Sequence, residues 1–116
     1  MNFLLAGSLA YDTILIHSGE FHHKILPEEI SRLNVAFGIQ SVSEQFGGTA
    51  GNIAYNSALL NNYPMMISCV GKENFQKYAT HLANCNIYLN HLTIIEKEKM
   101  AQAWLMTDKT NNQIIG

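Results

Sequence analysis

The chain has 116 residues, 47% hydrophobic and 14% charged, with a formal net charge of −2. That composition supports a packed core in one domain or part of one, and it excludes intrinsic disorder. The charge gives no electrostatic basis for nucleic acid or an anionic membrane, and no apolar run approaches the roughly 20 residues of a spanning helix.

Residues 2–10 read as a short, nearly all-apolar strand of the kind buried on both faces of an α/β sheet. Residues 1–7 carry no basic segment, and their apolar run is too short for a secretion signal. Gly7-Ser8 stand near the end of this strand and Asp12 just past it, where open α/β sheets bind ligands. Asp12 has two readings, an acceptor for neighbouring sugar hydroxyls or a turn residue bonded to its own backbone. Residues 11–17 continue as a second strand, turned by Ser18-Gly19-Glu20. His22 and His23 are adjacent and expected to diverge, and His17, His81 and His91 add no ligand spacing, so no metal site is predicted. Pro27-Glu28-Glu29 opens a brief helical turn. Residues 32–46 alternate loosely, as half-exposed strands of a small sheet outside the main layer do.

The central stretch is Phe46-Gly47-Gly48-Thr49-Ala50-Gly51-Asn52-Ile53-Ala54. Its glycines break the preceding strand, and a helical pattern follows at once, with Ile53, Ala54, Ser57 and Ala58 on one face. Two readings stand side by side. The glycines bare the backbone N–H groups of a helix entrance for a ligand, with the Asn52 amide beside them; or they permit close packing of a tight turn. The spacing is wrong for a dinucleotide fingerprint. Gly71-Lys72-Glu73 lacks the serine or threonine of a phosphate loop.

Asn61-Asn62-Tyr63-Pro64 ends the helix, and residues 65–70 read as a second buried strand closed by Gly71. Met65, Met66 and Cys69 are expected in the core. Residues 74–84 are amphipathic, with Phe75, Tyr78, Ala79 and Leu82 on one face. Residues 91–95, 101–107 and those from 113 on read as strands, with 96–99 a solvated charged turn. Trp104 is either a contact for a base or a core aromatic. Cys69 and Cys85 show no repeat spacing, as in a reduced, cytoplasmic chain. This order predicts an α/β fold with a mostly parallel sheet flanked by helices. Residues 113–116 look like a strand just beginning, so the chain is expected to be the front part of something longer.

Across residues 2–116 the chain resembles the amino-terminal part of the ribokinase-like (PfkB) carbohydrate and nucleoside kinases, and bacterial adenosine kinases most. The resemblance is carried by Gly7-Ser8-Leu9-Ala10-Tyr11-Asp12, by the central glycine stretch, and by Val70-Gly71-Lys72-Glu73-Asn74-Phe75. It implies a partial ribokinase-like fold with a small β-sheet lid that includes strands at about 13–17 and 32–46. It further implies that Asp12, Gly47, Gly48 and Asn52 bind substrate sugar hydroxyls and that Ser8 contacts a nucleoside. Phe37 or Phe46, in or beside the lid strands, would pack against its base. Ala10 stands where ribokinases carry asparagine, which favours a nucleoside. The family's Gly-x-Gly-Asp motif, with its general base, is not in this sequence, so the resemblance implies a complete enzyme that uses ATP and Mg²⁺, and a fragment inactive alone. A homodimer through the lid strands is implied as well. The alternative is a non-catalytic binding or self-association module of the same fold.

Overall fold

The computed structural model describes residues 3–116. Asn2, at the start of the first predicted strand, lies outside them. The chain divides into two compact units: residues up to Asp12 with Phe46–Gln102, and Thr13–Gln45 with Ala103–Gly116. Its fold is α/β.

In the first unit, strands β1 (Leu4–Ala6), β4 (Met65–Glu73) and β5 (Leu92–Lys99) form a parallel sheet in the order β1-β4-β5. Strands β2 (Ala10–His17) and β3 (Ile39–Gly47) precede helix α1 (Thr49–Leu59), and helix α2 (Phe75–Asn84) joins β4 to β5. Strands β6 (Ala101–Thr107) and β7 (Gln113–Ile115) pair antiparallel and close a four-stranded sheet of order β3-β2-β6-β7.

One buried cluster holds the first unit together, joining Leu9 and Tyr11 to Ala50, Ala54, Met66, Val70, Tyr78 and Leu82. Burying each large side chain of this set contributes about 1.5–3 kcal/mol. Ala50 and Ala54 are fully buried, and their small size lets α1 lie close on the sheet. Asparagines take the left-handed turns where elements end, at Asn61, Asn74, Asn86 and Asn111, because their short polar side chain tolerates that region. Asn74 does more than turn the chain. Its carbonyl accepts from the Tyr11 hydroxyl at 2.8 Å and its Oδ1 from Met100 N at 3.2 Å.

Several sequence expectations are corrected. The parallel strands are covered on one face, not two. Met66, Ser68 and Val70 are buried while Met65, Ile67 and Cys69 are exposed, because successive strand residues face opposite sides and the packed cluster lies on one of them. Met65 and Cys69 are therefore not core. Ile53 is 49% exposed, since α1 turns its Ala50, Gly51 and Ala54 face inward. Gly71 sits inside β4 and does not close it, and residues 96–99 belong to β5 as strand, exposed as expected. Trp104 is 49% exposed and is no core aromatic. Residues 33–38 form no strand; a 3-10 helix at Pro27–Arg32 precedes them and β3 starts at Ile39.

Candidate functional site

The turn from β3 into α1 is built by close backbone approach. Gly48 has φ +89°, a region that glycine enters freely and other residues rarely adopt, and a Cβ there would strike the Ser8 carbonyl. A Cβ at Gly47 would fall on the Asp12 carboxylate. Asp12 and Gly47, far apart in sequence, are thus in direct contact, and Asp12 remains part-exposed.

Ser8 caps the helix. Its Oγ accepts from Thr49 N at 3.1 Å, and its carbonyl accepts from Ala50 N at 3.0 Å and Gly51 N at 3.4 Å. Thr49 Oγ1 accepts in return from Ser8 N at 3.3 Å, and Asn52 N donates to Gly48 O at 3.0 Å. The first N–H groups of α1 are therefore satisfied by protein. Of the two readings of the glycines, close packing is the one found at Thr49, Ala50 and Gly51, where the helix entrance is not bare. What remains for a ligand is side-chain chemistry. The Asn52 side chain is exposed one turn into the helix with two donors and an acceptor, and the Asp12 carboxylate can accept from two hydroxyls.

Behind the turn lies an aromatic cluster. Phe46 meets Tyr11, Tyr78 and His81, at centroid distances of 6.0, 5.0 and 4.0 Å. His81 is stacked on Phe46 within 5° of parallel, and Tyr55 stacks on its ring at 5.5 Å. Lys77 Nζ lies over the Tyr11 and Phe46 rings at 5.8 and 5.7 Å, a cation–π arrangement. Tyr78 is 1% exposed and its hydroxyl donates to Gly47 O at 2.6 Å. Burial pushes the Tyr78 phenol up to about 12, with the charges of Asp12 and Tyr11 adding. Burial also holds His81 below the ordinary imidazole value.

Of the residues singled out from sequence, Ser8, Asp12, Gly47, Gly48 and Asn52 meet around this one turn, with Phe46 at its rear. Phe37 belongs to the second unit, edge-on to His17 and Phe21 at 5.2 and 5.0 Å. Sequence reasoning missed Tyr78 and His81 as parts of this turn. Helical periodicity marked Tyr78 as buried, but nothing local announced that its hydroxyl would reach a carbonyl 31 positions away.

At the chain's Gly-Lys pair, Gly71 is packed against the Lys99 backbone, and Lys72 Nζ pairs with Glu96 Oε2 at 2.6 Å. Among the described residues no helix is long and apolar enough to cross a membrane.

The pfkB family carbohydrate kinase model matches residues 9–116. A nucleoside kinase of Methanocaldococcus jannaschii is 34% identical over 88 residues, 75% of this chain and 29% of the relative. A nucleoside kinase of Methanothermobacter thermautotrophicus is 30% identical over 112 residues, 96% of this chain and 33% of the relative. The structure of Burkholderia thailandensis nucleoside kinase in complex with inosine matches with a TM-score of 0.84 and 31% identity, over 100% of this chain and 35% of that one. The chain spans about a third of the length of the curated relatives it matches.

Proposed function

This chain belongs to the pfkB carbohydrate kinase family, and on that premise we propose that it is the sugar-recognition part of an ATP-dependent nucleoside kinase, with adenosine as substrate. The observation that carries the reading is the contact of the Asp12 carboxylate with Gly47, beside the exposed Asn52 amide. A carboxylate pinned to a glycine turn accepts from two neighbouring ribose hydroxyls. Asn52 adds a donor, and Phe46 packs against the base. The inosine complex of the Burkholderia thailandensis relative supports a purine nucleoside.

The complete enzyme would use ATP as phosphoryl donor, with Mg²⁺ neutralising the phosphate charge. The described residues would orient the accepting sugar, which is the positioning share of such a reaction. Gly47 and Gly48 let the turn pack against Asp12 and Ser8, which sets the carboxylate towards the sugar, and Ser8 holds the turn while presenting its hydroxyl to the nucleoside. The reading includes a cytoplasmic location, supported by two free cysteines, and a homodimer through the four-stranded sheet.

The test is calorimetric titration of the 116-residue chain with adenosine, inosine and ribose, alongside Asp12→Ala and Asn52→Ala. Nucleoside binding weakened tenfold or more in both variants is expected. A folded chain that binds no nucleoside, or binds it equally well in both variants, overturns the reading.

A second reading, a non-catalytic self-association module, is favoured by exposed apolar residues on the edge strands, with Val42 63% and Ile115 61% exposed. Sedimentation of the chain together with Val42→Lys separates the two. Dimers that dissociate in the variant, without nucleoside binding by either protein, favour the module.

A further inference from the structure

We propose that Glu20, His22 and His23 form a surface site for a divalent transition-metal ion of the zinc type. Each side chain offers one ligand atom, and these atoms lie within 4.8 Å of one another, the one such group among the described residues. His22 Nδ1 is 3.2 Å from Glu20 Oε2, and the His22 and His23 ring centroids are 4.1 Å apart. Neighbouring side chains are expected to diverge in either a helix or a strand, which is why the sequence predicted no site. The 3-10 turn at Phe21–His23, closed by His23 N donating to Glu20 O at 3.2 Å, brings them to one side.

The backbone carrying the three ligands is anchored. Phe21 is 6% exposed, its N–H donates to Asp108 Oδ2 at 3.0 Å, and its ring packs on His17 and Phe37. Lys109 N donates to Gly19 O at 2.9 Å, and Lys24 N and Ile25 N donate to Phe21 O at 2.9 and 2.8 Å. The histidine side chains themselves are exposed, so an ion reaches them without any opening of the fold. Exposed rings need only rotate to bring their nitrogens to the ~2.0–2.1 Å of zinc coordination.

The donor set selects the ion. Two imidazole nitrogens and one carboxylate suit zinc, whereas magnesium and calcium take oxygen ligands. Three protein ligands leave a coordination position to water, the open arrangement rather than the closed structural one. The ion would pin the turn that the Phe21 and Asp108 contacts already fix, and the site is independent of the kinase reading.

Calorimetric titration of the metal-free chain with zinc chloride tests this, alongside His22→Ala, His23→Ala and Glu20→Gln. The expected result is one ion per chain, affinity at least tenfold weaker in each histidine variant, and no saturable response to magnesium chloride. Absence of saturable zinc binding overturns the proposal. So does binding unchanged in His22→Ala and His23→Ala, which would move the ion to other histidines or to the cysteines.

Discussion

The hydroxyl of Tyr78 donates to the carbonyl of Gly47 at 2.6 Å, tying α2 to the turn that opens α1. The same glycine lies against the Asp12 carboxylate. One buried phenol thereby sets the position of the backbone on which the candidate sugar-binding carboxylate rests. With its pKa pushed up to about 12, chiefly by burial, Tyr78 keeps its proton and its donor role throughout the physiological range.

Tyr78→Phe removes that donor and leaves a buried carbonyl unpaired. The cost is about 1–3 kcal/mol, read as a lower urea midpoint with an unchanged denaturant slope. A variant as stable as the parent would show that the bond does not support the turn.

Gly48→Ala imposes a Cβ on a backbone at φ +89° and drives it into the Ser8 carbonyl. Strain of this kind costs about 1–3 kcal/mol, so thermal unfolding should shift down by several degrees. Gly38→Ala is the control, because a Cβ there meets nothing within 4 Å, and its melting temperature should stay close to that of the parent.

Asp108 binds the second unit together through its side chain. It accepts from Phe21 N at 3.0 Å, from Thr110 N and Asn112 N at 2.9 Å each, and from the Thr110 hydroxyl and Asn112 amide at 3.0 and 3.1 Å. Burial alone would raise its pKa, but these bonds to the charged form hold it well below the ordinary carboxylate range. A depressed folded value stabilises the fold fully above the unfolded value near pH 4 and loses that contribution as pH falls through the folded one. Urea midpoints measured from pH 6 downward should therefore fall below about pH 4, and Asp108→Asn should flatten that part of the slope. An unchanged slope in the variant would remove Asp108 as the cause.

His81 behaves with the same sign for a different reason. Burial beneath its ring stack disfavours the imidazolium, so its folded value lies below the ordinary ~6.5. Its neutral form supports the fold above that value, and the contribution is lost as pH falls through the folded value. An NMR titration should show His81 with a midpoint below 6.5 that climbs back towards it in Phe46→Ala. A midpoint at or above 6.5 in the parent would refute the account.

Much of this molecule was legible in its residues. The breaks at Gly47-Gly48 and Asn61, the buried face of α2, and the joint spacing of Gly7-Ser8, Asp12 and Gly47 to Asn52 are local signals, set by backbone freedom and by helical or strand period. They were enough to name the family and the fold. Three-dimensional packing decided the rest. Whether Met65, Cys69 and Trp104 were core depended on which face of each strand was covered, and an apolar residue looks the same on either face. Whether the α1 entrance was open depended on Ser8, 41 positions from Thr49, which fills it. Whether His22 and His23 diverge or converge depended on a single 3-10 turn held by Asp108, 87 positions from Phe21. Such pairings form because folding brings distant donors and acceptors into one dry place, and no local pattern in the chain encodes which of them will meet.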